Sequence, residues 1–201
     1  PLRRQRQMCI RDSLEGAPEH GTVARVSDLA DTQRYSPPPF KALDKPKNGI
    51  QLHVEPFDVP PNFEREFFMY KNLNNRSPIY VNRVQIEMRP GSHHFIGYLL
   101  DSSRPLFTLA KRLFVPNRIR DLHLPNGDDD PLVLASMNYH NFFAGTQTPR
   151  FDYEFPKGVA LRLPANTGLD LNTHYVNRGE EAFEGEVYMN LHTIEKADVE
   201  H

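Results

Sequence analysis

The sequence predicts an all-β protein: one antiparallel β-sandwich, jelly-roll-like, with eight or nine strands. Three observations carry this expectation. Short runs with apolar residues at alternate positions recur along the chain, each bounded by turn residues. Thirteen Phe and eight Tyr suit half-buried pleated surfaces, while eighteen Pro and eleven Gly supply frequent turns. No helical periodicity is long enough to alternate with the strands, which disfavours a parallel α/β sheet.

Taken in order, residues 1–13 are basic and aperiodic. The stretch RQRQMCIRDS within them resembles translated sequencing-adapter read-through. They read as a non-native or disordered tail and are set aside from the fold. Residues 14–48 are polar and broken by prolines, Pro37-Pro38-Pro39 among them, with one short helical turn region at 27–34. They read as a linker or poorly ordered lead-in. The domain spans 49–194. Strands are expected at residues 51–54, 66–70 and 79–88, the last with Val84, Ile86 and Met88 on one face. Pro90-Gly91 ends that strand, and another follows at 95–100. Residues 107–114 are ambiguous between strand and helix, and 118–131 read as a polar loop. Residues 132–143 read as a strand. Strands at 150–155, 159–163, 169–176 and 186–194 complete the set, and 195–201 form a tail.

Composition narrows the classes. A chain of 201 residues suits one domain with a substantial core. A formal charge of -2 gives no electrostatic case for a nucleic-acid partner. No apolar run approaches the roughly 20 residues of a membrane-spanning helix. Cys9 is the one cysteine, so no intrachain disulfide can form.

The most unusual local feature is Met88-Arg89-Pro90-Gly91-Ser92-His93-His94-Phe95. Adjacent residues of a regular strand point to opposite faces. His93 and His94 can therefore share one metal ion only if the backbone is kinked, and Pro90 and Gly91 can supply the kink. The second feature is the strand around His174. Leu169, Leu171, Thr173 and Tyr175 fall on one face; Asp170, Asn172, His174 and Val176 fall on the other, more polar one. Asn172 is a candidate to orient a ligand there by hydrogen bonding. Three imidazoles without thiolates suit Cu, Zn, Fe or Ni and leave a coordination position open.

GSHHF after Arg-Pro, then FPKGVALRLPANTGLDLNTHYVNRG, then GEVYMNLHTI resemble the N-terminal copper domain of the type II copper, ascorbate-dependent monooxygenases. That family includes peptidylglycine hydroxylating and dopamine beta-monooxygenases. The matching features are His93-His94, Pro156-Lys157-Gly158-Val159 and His174-Tyr175, and the likeness covers residues 49–194. The resemblance implies copper on His93, His94 and His174, one ion per chain, with ascorbate as external reductant. It implies a small-molecule or peptide substrate and a secreted or periplasmic setting; from the lack of a long apolar run, no membrane partner is expected. Family enzymes carry a second copper, on a His-x-His pair and a methionine, in a second sandwich. No His-x-His occurs here, so the sequence reads either as a fragment lacking that domain downstream or as a single-domain relative. The alternative function is a non-catalytic copper-binding or interaction module. A zinc hydrolase would need a general base, for which Asp170 is the nearest candidate in sequence.

Other residues read more simply. Met189 lies with Val187 and Leu191 at period two, so core packing is favoured over thioether ligation. His140 reads as a hydrogen-bonded structural histidine before a fourth ligand. His53, His123 and His192 have no companion motif, and His20 and His201 are tail residues. Asp128-Asp129-Asp130 lacks the further ligands of a calcium loop and reads as a solvated acidic turn.

Overall fold

The computed structural model describes residues 39–201. The readings made for Cys9, His20, the helical turn at 27–34 and Pro37-Pro38 lie outside these residues. The described chain is a sandwich of two antiparallel sheets of five strands each. Ten strands replace the eight or nine expected. In order they are β1 (Gly49–Val59), β2 (Phe63–Asn72), β3 (Ile79–Met88), β4 (Ser92–Leu100) and β5 (Ile119–Asp121). β6 (His140–Thr146), β7 (Arg150–Glu154), β8 (Leu161–Leu163), β9 (Gly168–Asn177) and β10 (Phe183–Ile194) follow. The first sheet runs β1-β10-β3-β7, with β8 also paired to β3; the second runs β5-β2-β9-β4-β6.

Period-two alternation makes the core. From the first sheet, Leu52, Val54, Val84, Ile86, Met88, Val187, Met189 and Leu191 point inward; from the second come Phe67, Met69, Phe95, Leu169, Leu171 and Tyr175. The face predicted for β9 is therefore the core face, with Thr173 also fully buried on it. Met189 sits in this core, opposite Leu52 on β1 and Ile86 on β3. Phe57 packs edge-on against both Phe67 and Tyr175, at 4.8 and 5.2 Å between ring centroids. Such edge-to-face pairs add to the burial term that joins the two sheets. Residues 39–48 cross the outer face of the first sheet: the Leu43 carbonyl accepts from Gln51 Nε2 at 2.8 Å, and the Asp44 carbonyl from Asn190 Nδ2 at 2.9 Å.

Two expectations need correction, and one left open is resolved. Residues 132–143 are not one strand: α2 (Pro131–Met137) precedes β6, which begins only at His140. The start signal is Asp130-Pro131. Asp130 accepts from the Leu132 and Val133 N–H groups at 2.8 and 3.4 Å, and Pro131 occupies the first helical turn. Residues 107–114 form a short helix, α1 (Phe107–Ala110), continued by a 3-10 turn at Lys111–Leu113. The presumed loop at 118–131 contains β5, a three-residue strand that extends the second sheet beyond β2.

Candidate metal centre

β9 is the middle strand of the second sheet, between β2 and β4. Its outward face carries Asp170, Asn172 and His174, all buried although no second sheet covers that side. β4 lies beside it with a register break. Ser92 pairs with Tyr175 and His94 pairs with His174, so one step on β9 matches two on β4. His93 is the extra residue of a β-bulge. A bulge bends the strand and re-aims its side chains, which lets two consecutive histidines face one point. The expected kink is thus present, and it falls at His93 itself.

Gly91 delivers the chain into the bulge with φ at 94°. A Cβ at Gly91 would lie 2.4 Å from the Phe183 ring, so the turn requires glycine on both conformational and steric grounds.

The three imidazoles form a nearly equilateral triangle. Ring centroids stand 4.8 Å apart for His93–His174, 4.9 Å for His94–His174 and 5.4 Å for His93–His94. One nitrogen from each lies within 4.8 Å of the others, and among the described residues no other group of three metal-ligating side chains does this. All three residues singled out in the sequence are brought together.

The hydrogen bonds around them select tautomers. His174 Nε2 donates to Glu64 Oε1 at 2.8 Å. His94 Nε2 donates to Asn172 Oδ1 at 2.5 Å. The Asn172 amide is oriented by its other side, where Nδ2 donates to Glu66 Oε1 at 3.0 Å. With Nε2 protonated in both rings, each Nδ1 carries a lone pair. His93 Nδ1 and His94 Nδ1 are 3.2 Å apart. Two nitrogens each about 2.0–2.1 Å from one ion stand about 2.9–3.4 Å apart, from square to tetrahedral angles. His174 Nδ1 is buried and has no hydrogen-bond partner. Buried polar atoms are rarely left so, and an ion held by the cluster would give this one a partner. The donor set therefore fits a metal ion.

Burial pushes the His94 imidazole below the ordinary histidine value, outweighing the Asn172 hydrogen bond and the Glu66 charge that act the other way. A neutral imidazole is the form that ligates.

Glu64 and Glu66 are the residues that sequence reading missed. They face outward on β2, where Glu66 pairs directly with His174 across the ladder. Glu66 Oε1 is 3.7 Å from His94 Nε2, and Oε2 is 3.8 Å from His174 Nδ1. Their period-two spacing was visible; the pairing of β2 with β9, over a hundred residues away, was not. Asn172 does hydrogen-bond to a histidine of the cluster, and that histidine is His94 on the next strand.

The remaining candidates stand elsewhere. His140 Nε2 is 2.8 Å from Asp170 Oδ2 and its ring stacks on Tyr98 at 4.5 Å. Asp170 is fully buried, and both of its carboxylate oxygens accept from Arg120 Nη2, at 2.5 and 2.6 Å. It is a structural anion here, not a free base beside the cluster. His53 bridges Glu55 and Glu186, His123 pairs with Asp129, and His192 bonds to Gln85. Of the acidic triplet, Asp130 caps α2.

A cleft of about 1070 Å³ adjoins the centre, and Glu64 and Glu66 form part of its wall. Phe63, Ile119, Leu124 and Val133 give it an apolar lining. Its size matches pockets for small organic molecules.

Fold and centre together define an all-β sandwich bearing an outward-facing three-histidine cluster. No protein-family model matches this chain, and no curated protein matches it.

Proposed function

We propose that the chain is a copper-binding domain that serves electron transfer in an ascorbate-dependent monooxygenase. The observation that carries the metal reading is the convergence of His93, His94 and His174, with the buried His174 Nδ1 left unpartnered. The all-imidazole donor set suits copper, zinc, iron or nickel and accommodates both oxidation states of copper; the choice of copper comes from the sequence likeness. The sequence likeness of 49–194 to the copper domain of those enzymes supports the redox role. A copper ion bound there would supply one-electron transfer between Cu(II) and Cu(I).

The residues then have defined tasks. His93, His94 and His174 hold the ion and leave a position open. Glu64 and Asn172 fix the tautomers and ring angles of His174 and His94. The cleft gives a reductant or substrate access to the Glu66 side of the cluster. Hydroxylation would take place at a second copper, outside this cluster.

The test is to load purified protein with Cu(II), count metal per chain, and record the EPR spectrum beside His174→Ala. One copper per chain with a nitrogen-rich type II signal is expected, lost or greatly weakened in the variant, and reduced by ascorbate. A signal indifferent to His174 would sink the metal assignment. A bound copper that ascorbate leaves oxidised would sink the electron-transfer role.

A further inference from the structure

The centre carries more negative charge than its ligands require. Glu64 and Glu66 both stand against the histidine cluster. Of the cations lining the same cleft, Arg65 pairs with Asp121 at 2.9 Å and Arg120 with Asp170, and Arg118 forms no ion pair with either carboxylate. Among the described residues, no Lys or Arg forms an ion pair with Glu64 or Glu66. Glu66 is also the better shielded of the two carboxylates, with 18% of its side chain exposed against 54% for Glu64. One Glu66 oxygen accepts from Asn172, while Oε2 is directed toward His174 Nδ1 at 3.8 Å.

Three neutral imidazoles add no charge to the ion they hold. An ion bound about 2.0 Å from His174 Nδ1 would therefore have the Glu66 carboxylate within about 6 Å. A fixed negative charge at that range attracts a dication more than a monocation. At an effective dielectric near 20 the difference exceeds tenfold in an equilibrium constant. Partial exposure and salt reduce it.

We propose that Glu66 is the counter-charge of this centre: it favours Cu(II) over Cu(I) and so lowers the reduction potential of the bound copper. This inference rests on the copper reading above. Glu66 acts through its charge and is a positioning and tuning residue, not a ligand. Glu66→Gln isolates the effect, because glutamine keeps the acceptor for Asn172 Nδ2 and loses only the charge.

The experiment is a redox titration of copper-loaded wild type, Glu66→Gln, Glu66→Ala and Glu66→Asp, followed by the Cu(II) EPR signal. Cu(I) affinity is measured in parallel with a chromogenic Cu(I) chelator. Removing the charge should weaken Cu(II) binding about tenfold more than it weakens Cu(I) binding, which raises the potential by about 59 mV. Glu66→Ala must move the potential in the same direction, and it carries the test if the glutamine variant fails to fold. Glu66→Asp, which keeps the charge, should stay near wild type. Copper-loaded Gln and Ala variants with an unchanged potential would overturn this inference alone. An Asp variant shifted as far as Gln would do the same, by making the effect one of geometry. A wild type that takes up no copper would overturn the copper reading, and this inference with it.

Discussion

Glu186 shows how a single buried carboxylate is kept charged in this sandwich. Oε1 accepts from His53 Nε2 and Oε2 from Arg89 Nε, both at 2.8 Å. Burial by itself would raise its carboxyl, but hydrogen bonds from His53, Arg89 and Tyr188 more than reverse that and hold it below its ordinary value. A carboxyl depressed in the folded state stabilises the fold above the unfolded glutamate range. That stability disappears as pH falls through the lower, folded value. Urea midpoints should therefore drop between about pH 5 and pH 3. Glu186→Gln should begin with a lower midpoint at neutral pH and lose less of it on acidification. Parallel acid limbs in wild type and variant would show that Glu186 does not contribute. At the same scale, His93 and His94 were legible because a histidine doublet after Pro-Gly is an unusual pattern, and His174 joined them through the family resemblance. Glu64 and Glu66 were not, since paired exposed carboxylates on a strand ordinarily face solvent.

The element that decides the centre is the turn and bulge entering β4. Its two demands are the positive φ at Gly91 and the bulge at His93, and the first feeds the second. Gly91→Val would place a branched side chain in the left-handed region and into the Phe183 ring. A loss of about 1–3 kcal/mol is expected from strain and displacement together. Copper stoichiometry should fall with it, because the bulge that turns His93 beside His94 would shift. A folded Gly91→Val protein that still binds one copper with the wild-type EPR signal would count against the bulge as the organiser. α2 shows the opposite case, where local chemistry was present and misread. The apolar run Leu132-Val133-Leu134-Ala135 falls within the stretch read as a strand, while the Asp130 cap and the proline at the helix start favour helix.

For the whole molecule, the core between the sheets and the outward-facing cluster are separable. Met189 is fully buried between Leu52 and Ile86, on the other sheet from the histidines. Met189→Ala should destabilise the fold by about 2–5 kcal/mol through lost burial and a residual cavity. It should leave one copper per chain and an unchanged EPR signal at temperatures where the variant is folded. Loss of the signal from folded protein would instead make the thioether part of the centre. The second sheet's outer face needs its own cover, which α2 and the Arg120–Asp170–His140 group provide. Arg120 bonds Ser136 on α2 at 3.0 Å as well as Asp170 on β9, so one guanidinium ties helix to sheet.

The sequence by itself determined the sandwich class, most strand positions and, through a family resemblance, which three histidines to examine together. The first two follow from local rules, period-two alternation and turn residues; only the His93-His94 doublet stands out locally. Tertiary structure alone decided which strands are neighbours, and so which groups surround the cluster. Pairing of β2 with β9 brings Glu64 and Glu66 against His174, and pairing of β4 with β9 brings His94 to Asn172. Strand order depends on the summed packing of both sheets, a non-local energy that no short stretch of chain encodes. The charge and tautomers of the centre are set at that level.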